Sequence, residues 1–243
     1  MKSKRFWITC ATVMSMSFGL ASVAAAVTHP PDVDPTNFGC PVTNPFFPLE
    51  PGTTYFYQGE SEGVQTTNIT EVTCPASPPK VIEGVTVIEV HDQAFENGVL
   101  VEDTLDWFAT DCDGNVWYFG EDSTDVLTGS KEGSWEAGVD DADAGFIMLA
   151  SPQVGNRYFQ EFAPGVAVDL AKVISLDGSA CVPYQTPDFC SDELLVTKET
   201  TQLEPGVVEN KYYASGIGFI RGEMVKGGDE FTELVSITTG NCP

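Results

Sequence analysis

Histidine is almost missing from this chain: His29 and His91 are the two in 243 residues. That count excludes a histidine-rich metal centre, and it leaves a serine or cysteine nucleophile short of its usual base. No serine occupies a Gly-x-Ser-x-Gly turn. There is no phosphate-cradling glycine loop and no dinucleotide fingerprint. No C-x-x-C pair is present either, so a zinc ribbon and a thioredoxin-type redox pair have no support. Positive charge is scarce, with 11 Lys and Arg against 36 Asp and Glu. A field of that sign repels nucleic acid and anionic membrane surfaces, which excludes both as partners, and it suits cations, basic proteins or a saline habitat; a small ligand or a glycan is the other candidate partner. An acidic surface that keeps the protein soluble by repulsion is the plainer explanation of the same charge.

Long apolar runs are lacking too, except at the start. There "MKSKRFWITCATVMSMSFGLASVAAA" pairs a basic segment (Lys2, Lys4, Arg5) with an apolar stretch that ends in Ala24–Ala26. This is the pattern of an export signal over 1–26, which predicts a secreted or periplasmic protein. The remaining 217 residues carry eight basic side chains against 36 acidic ones, a formal charge of −28. They suit one all-β domain, 53–243, preceded by a proline-rich extended arm, 27–52, with six prolines between His29 and Pro51. Six cysteines follow the signal, an even number that favours disulfides in an exported chain. Cys181 and Cys190 bracket a short loop and are expected to pair; Cys40 with Cys242 would tie the two ends together.

Helical stripes are absent from the rest. Period-two alternation replaces them, broken by Glu83–Gly84, Asn97–Gly98, Asp113–Gly114, Pro205–Gly206 and Gly227–Gly228. In "VLVEDTLDWFA", Val99, Val101, Leu105, Trp107 and Ala109 form one face and Glu102, Thr104 and Asp106 the other, which is read as the wet side. "VAVDLAKVISL" repeats the pattern with Val166, Val168, Leu170, Ile174 and Leu176, and Lys172 as the exception. A short helix is expected near Asp188–Leu194. The fold class is all-β, an antiparallel and strongly curved sheet forming a barrel or sandwich with short turns and little helix.

"TDCDGNVWYFGED" places oxygens at Asp111, Asp113, Asn115 and Asp122. An EF-hand would need glycine where Val116 stands and helices where strands are predicted. A hairpin turn at Asp113–Gly114 accounts for each residue. A calcium site of another kind at this tip, or at Asp140, Asp141 and Asp143 in "VDDADAG", stays open as the cofactor reading.

Trp107, Trp117, Tyr118 and Trp135 are the candidate ligand-binding aromatics, either core or the lining of an apolar or sugar-stacking pocket. No catalytic residue is assigned. The reading is a non-catalytic binding protein for a small apolar ligand, a glycan or calcium. The alternatives are a carboxylate-based hydrolase, with Glu102, Asp106 and Glu136 beside Trp107 and Trp135, and a structural or surface-interaction protein. A cavity lined by Trp107 and Tyr118 would favour the first of these.

"EDTLDWFATDCDGNVWYFGED", "EGSWEAGVD", "LVTKE" and "LEPGVVENKYYASGIG" resemble a group of secreted bacterial proteins of unassigned function that share "DWFAxDxDGNVWYFGE" followed by "EGSWEAG". The likeness runs from about Pro45 to Ser236 and implies no activity. The group commonly has lysine at the position of Cys112, which implies that the disulfides are a local addition here.

Overall fold

Alternating side chains and glycine-bearing turns make strands of nearly everything after the arm. The computed structural model describes residues 29–242, so the expected signal segment lies outside the described residues. The strands are β1 (Thr53–Ser61), β2 (Val64–Val72), β3 (Val81–Ile82), β4 (Val85–Thr86), β5 (Ile88–Glu96), β6 (Val99–Thr110), β7 (Val116–Asp125), β8 (Trp135–Glu136), β9 (Asp143–Met148), β10 (Arg157–Ala163), β11 (Ala167–Val182), β12 (Phe189–Thr201), β13 (Val208–Ala214), β14 (Gly218–Lys226) and β15 (Phe231–Thr239). β1 pairs with both β2 and β15, and β6 pairs with both β5 and β7, so twelve antiparallel strands close on themselves. The result is a barrel rather than a sandwich. Beyond Tyr118, β7 exchanges its partner β9 for the two residues of β8.

The expected helix at Asp188–Leu194 is strand instead, the start of β12. Cys181 pairs across the ladder with Cys190 and is bonded to it, as expected, which holds these residues extended. The expected Cys40–Cys242 bond does not form. Cys40 is joined to Cys112 and Cys74 to Cys242. The reason is the path of the arm. Phe38 bridges to Asp111, and the Cys112 amide donates to the Asn37 carbonyl at 2.7 Å, which sets Cys40 beside the hairpin tip and away from the C-terminus.

The alternation is turned inside out relative to its plainest reading. Glu102, Thr104 and Asp106 point into the barrel, and Trp107 and Ala109 point outward. The outer face of β6 and β7 is nonetheless dry. Phe38 of the arm packs edge-on against Trp117 and Phe119 at about 6 Å, and Ile82 and Val85 of the β3–β4 hairpin are fully buried. Complete burial of a side chain such as Phe119 contributes about 1.5–3 kcal/mol. On β11 the same inversion puts Asp169, Ala171 and Val173 inside and leaves Lys172 and Ile174 exposed, which is why lysine fits that face. Among the described residues no helix is long and apolar enough to cross a membrane.

Candidate functional site

Twelve strands enclose more space than side chains alone can fill. The remainder is a cavity of about 340 Å³ walled by β1, β2, β5, β6, β9, β13, β14 and β15. Its lining changes character along the barrel axis. On β2 the inward residues run Val72, Thr70, Asn68; on β5, Val90 then Asp92; on β6, Phe108 then Asp106; on β13, Tyr213, Lys211, Glu209. Pair registers align these sequences, so every strand passes from apolar to polar in the same direction. The apolar end is closed by the arm: Phe47 meets Phe108 at 5.2 Å, and Phe47, Pro48 and Leu49 line the cavity beside Ile217 and Phe219. At the other end Glu102, Asp125 and Glu230 are exposed, so the mouth is acidic.

Two local devices build the acidic end. Phe119 is a bulge, since Trp107 pairs with Gly120 and Phe108 with Tyr118. The extra residue reverses the alternation and brings Glu121 to the same inward face as Tyr118. Gly120 is required there: φ is +129°, and a Cβ would lie 2.3 Å from the Trp135 carbonyl oxygen. Gly222 acts by close approach instead. A Cβ on it would lie 2.6 Å from Oε1 of Glu209, so its bareness leaves room for that carboxylate.

The inward carboxyls are Asp92, Glu102, Asp106, Glu121, Glu161, Asp169, Glu199 and Glu209, and Lys211 is the inward cation among the described residues. Lys211 Nζ is 2.8 Å from Glu199 and 3.6 Å from Glu209. Burial alone would lower the lysine, but those two carboxylates hold its ammonium well above the usual range. Glu199 also accepts from Thr197 at 2.8 Å and Gln160 at 3.1 Å. Asp92 and Asp106 have neutral partners: Thr70 Oγ1 donates to Asp92 at 2.6 Å, and the Tyr118 hydroxyl donates to Asp106 at 2.5 Å. Desolvation raises both carboxyls, and for Asp106 the nearby charges of Asp92, Glu121 and Glu102 add to it. Glu161 is raised well above its ordinary value by burial and by Asp169, Glu121 and Asp106. Asp92 and Asp106 keep some accessible surface although they lie deep in the molecule, because they line the cavity. The Tyr158 hydroxyl and Trp135 indole N–H are buried without a hydrogen-bond partner among the described residues. Tyr158 lies within the electrostatic reach of Glu199 and Lys211.

The residues singled out from sequence are divided by this wall. Trp107 and Trp117 are outside: Lys80 caps the Trp107 ring at 3.6 Å, and Trp117 donates to Asp111 at 2.9 Å. Tyr118 and Trp135 are on the inner side, 5.4 Å apart in an edge contact, and Tyr118 meets the cavity through Asp106. Asp106 and Glu102 share the interior, whereas Glu136 is outside and paired with Lys80 at 2.8 Å, so the three carboxylates do not converge. Asp111 is buried at the base of the hairpin, accepting from the amides of Asp113 and Asn115, the Asn115 side chain and Trp117. Asp113 accepts from Asn37 and Asn115 from the Ala150 amide. Asp140 and Asp141 occupy a left-handed turn, and Asp143 sits 3.0 Å from His29. Among the described residues no three His, Cys, Asp or Glu converge as metal ligands. Asp92, Glu161, Glu199, Glu209 and Lys211 were not evident from sequence. For Glu199, Glu209 and Lys211 the signal is polar residues at every second position, Thr197 and Glu199 in "VTKET" and Glu209 and Lys211 in "VENKYYA", once that face is known to be the inner one.

No family model matches the chain, and no curated protein matches it. Among solved structures it is similar to a candidate exported protein of Bacteroides fragilis with a YmcC-like fold, at 14% identity and a TM-score of 0.43 over 80% of this chain and 99% of that one. It is similar also to a candidate lipoprotein of Parabacteroides distasonis, at 13% identity and a TM-score of 0.44 over 81% of this chain and 99% of that one. Likeness at this level says nothing about activity.

Proposed function

We propose that this is a non-catalytic binding protein of an extracytoplasmic compartment that holds a small organic molecule inside its barrel. The carrying observation is the cavity itself, about 340 Å³, floored by Phe47, Leu49, Phe108 and Phe219 and opening past polar groups. That volume falls in the range of small-ligand sites, and an apolar floor with a few convergent polar groups is their usual chemistry. Three disulfides support an oxidising location.

The test is titration with a neutral naphthalene fluorophore that brightens in apolar surroundings. Saturable brightening is expected from the wild type, and none from Val90→Trp, whose indole fills the cavity. Circular dichroism and melting of the variant should match the wild type. Absence of saturable binding, or binding that Val90→Trp leaves intact, contradicts the reading.

A further inference from the structure

The polar half of the cavity carries more information than its size. Its wall presents Asp92 and Asp106 to the enclosed space, and among the described residues no lysine or arginine forms an ion pair with either. Thr70 and Asn68 hydrogen-bond to Asp92 and Tyr118 to Asp106, all neutral donors, and a carboxylate has about four lone-pair sites, which leaves capacity directed at the cavity. Lys211 does not relieve them, because Glu199 and Glu209 flank it. Glu230 stands at the exposed end of the same lining. A buried carboxylate is costly unless a cation or several donors meet it. An anionic head group would meet the carboxyls of Asp92, Asp106, Glu209 and Glu230 against one lysine, and a neutral one would leave the charges uncompensated.

Building on the binding function proposed above, we propose that the ligand is a cationic amphiphile, an ammonium on an aromatic or aliphatic body, with Asp92 and Asp106 as counter-ions and the body against the arm. The acidic mouth draws such a molecule in, and the apolar floor sets which end enters first.

Protonation of the two aspartates governs the affinity. The groups that bear on them are Tyr118 and Glu121 on β7, Glu102 on β6, Glu161 on β10, Tyr57 on β1, Lys211 and Glu209 on β13, Glu230 before β15 and His91 on β5. Desolvation holds Asp92 and Asp106 above the ordinary aspartate range, so acidification neutralises them early and the attraction for an ammonium falls with pH.

Three probes with one body separate the possibilities by calorimetry at pH 8: naphthylmethylamine, naphthylmethanol and naphthylacetate. The amine should bind about tenfold tighter than the alcohol, as expected of a charge-assisted contact, and the acetate should not bind. The advantage of the amine should shrink toward one in Asp92→Asn/Asp106→Asn, with alcohol binding unchanged, and should shrink in the wild type as the pH is lowered. Equal binding of amine and alcohol, or an advantage that survives both the double substitution and acidification, overturns the cationic assignment while leaving the cavity a binding site. If neither these probes nor the neutral fluorophore binds, the cavity reading falls and this inference falls with it. The pH series uses the wild-type protein, so it decides the matter even if the double variant does not fold.

Discussion

The phenolic oxygen of Tyr118 lies 2.5 Å from Oδ1 of Asp106 on the neighbouring strand and 3.3 Å from Oε2 of Glu121. One hydroxyl thus stands between two carboxyls that a bulge has turned to the same side. Tyr118→Phe removes the donor and leaves Asp106 with its charge less compensated. The expected loss is about 1–3 kcal/mol of unfolding free energy at pH 8, and less at pH 5, where the carboxyl is more fully protonated. Urea unfolding at both pH values measures it. An equal loss at both would mean that the hydroxyl acts through packing alone.

Acidification to mildly acid pH should stabilise the protein. Asp92, Asp106, Glu161 and Glu209 are all raised in the folded state, chiefly by desolvation. A raised carboxyl means that the folded protein retains protons that the unfolded chain has released. Its favourable contribution is complete below the unfolded value, near 4, and is lost as pH rises through the folded value. The melting midpoint should therefore climb from pH 8 toward pH 5. Asp103, lowered first by its hydrogen bond to His91, acts in the opposite sense and takes effect only at lower pH. Glu161→Gln should raise the midpoint at pH 8 and change little at pH 5. A midpoint that falls steadily from pH 8 to 5 contradicts this account.

The hairpin tip depends on Asp111. Its two oxygens accept from two amides, one side-chain amide and one indole. Asp111→Ala strands these donors and should cost about 3 kcal/mol, measured by chemical unfolding. Calcium should do little. With these oxygens committed internally, the midpoint in millimolar Ca²⁺ should match that in EDTA within about 1 °C, against roughly 5–10 °C for a saturated site. A shift of the larger size, absent with Mg²⁺, would return calcium to Asp140, Asp141 and Asp143.

The disulfides should rank by the chain they enclose. Cys74–Cys242 spans 168 residues, Cys40–Cys112 spans 72 and Cys181–Cys190 spans nine. Chain entropy gives roughly 4–5 kcal/mol for the first two and about 2–3 kcal/mol for the last. Paired Cys→Ser variants compared by chemical unfolding test the order. Loss of Cys40–Cys112 should also weaken binding of the naphthalene probes, because the same arm continues to the Phe47 and Leu49 floor.

Much of the wall was legible in sequence. Alternation in "VLVEDTLDWFA" and the turns at Asn97–Gly98 and Asp113–Gly114 mark β6 and its neighbours, and barrel closure is one of the two ways to finish so curved a sheet. Which side faces inward was not legible, because alternation has no sign. Polarity ordinarily supplies one, and here it points the wrong way: the arm and the β3–β4 hairpin dry the outer face of Trp107 and Trp117, while the interior is wide enough for Glu102 and Asp106. β9 was hidden by Asp140, Asp141 and Asp143, which read as a loop, and β8 is two residues long. The cysteine partners depended on the route of the arm, a long-range property with no local signature. The cavity carboxylates were individually visible but collectively hidden, since their meeting depends on the register of strands far apart in sequence.

Closure of the barrel has a consequence for how copies of the protein meet. Unpaired strand backbone is the template on which sheets of different molecules join. Here β1 is zipped to β15 and β6 to β7, so the main sheet offers such a template only where a strand outruns its neighbour, at β8 and where β11 and β12 extend beyond β10 and β13. Val99, more than half exposed, therefore sits on a strand whose neighbours are already paired. Where strands are paired on both sides, crowding can press side chains together, but the contact stays side chain to side chain; a growing ribbon could start only at the β11–β12 extension or at β8.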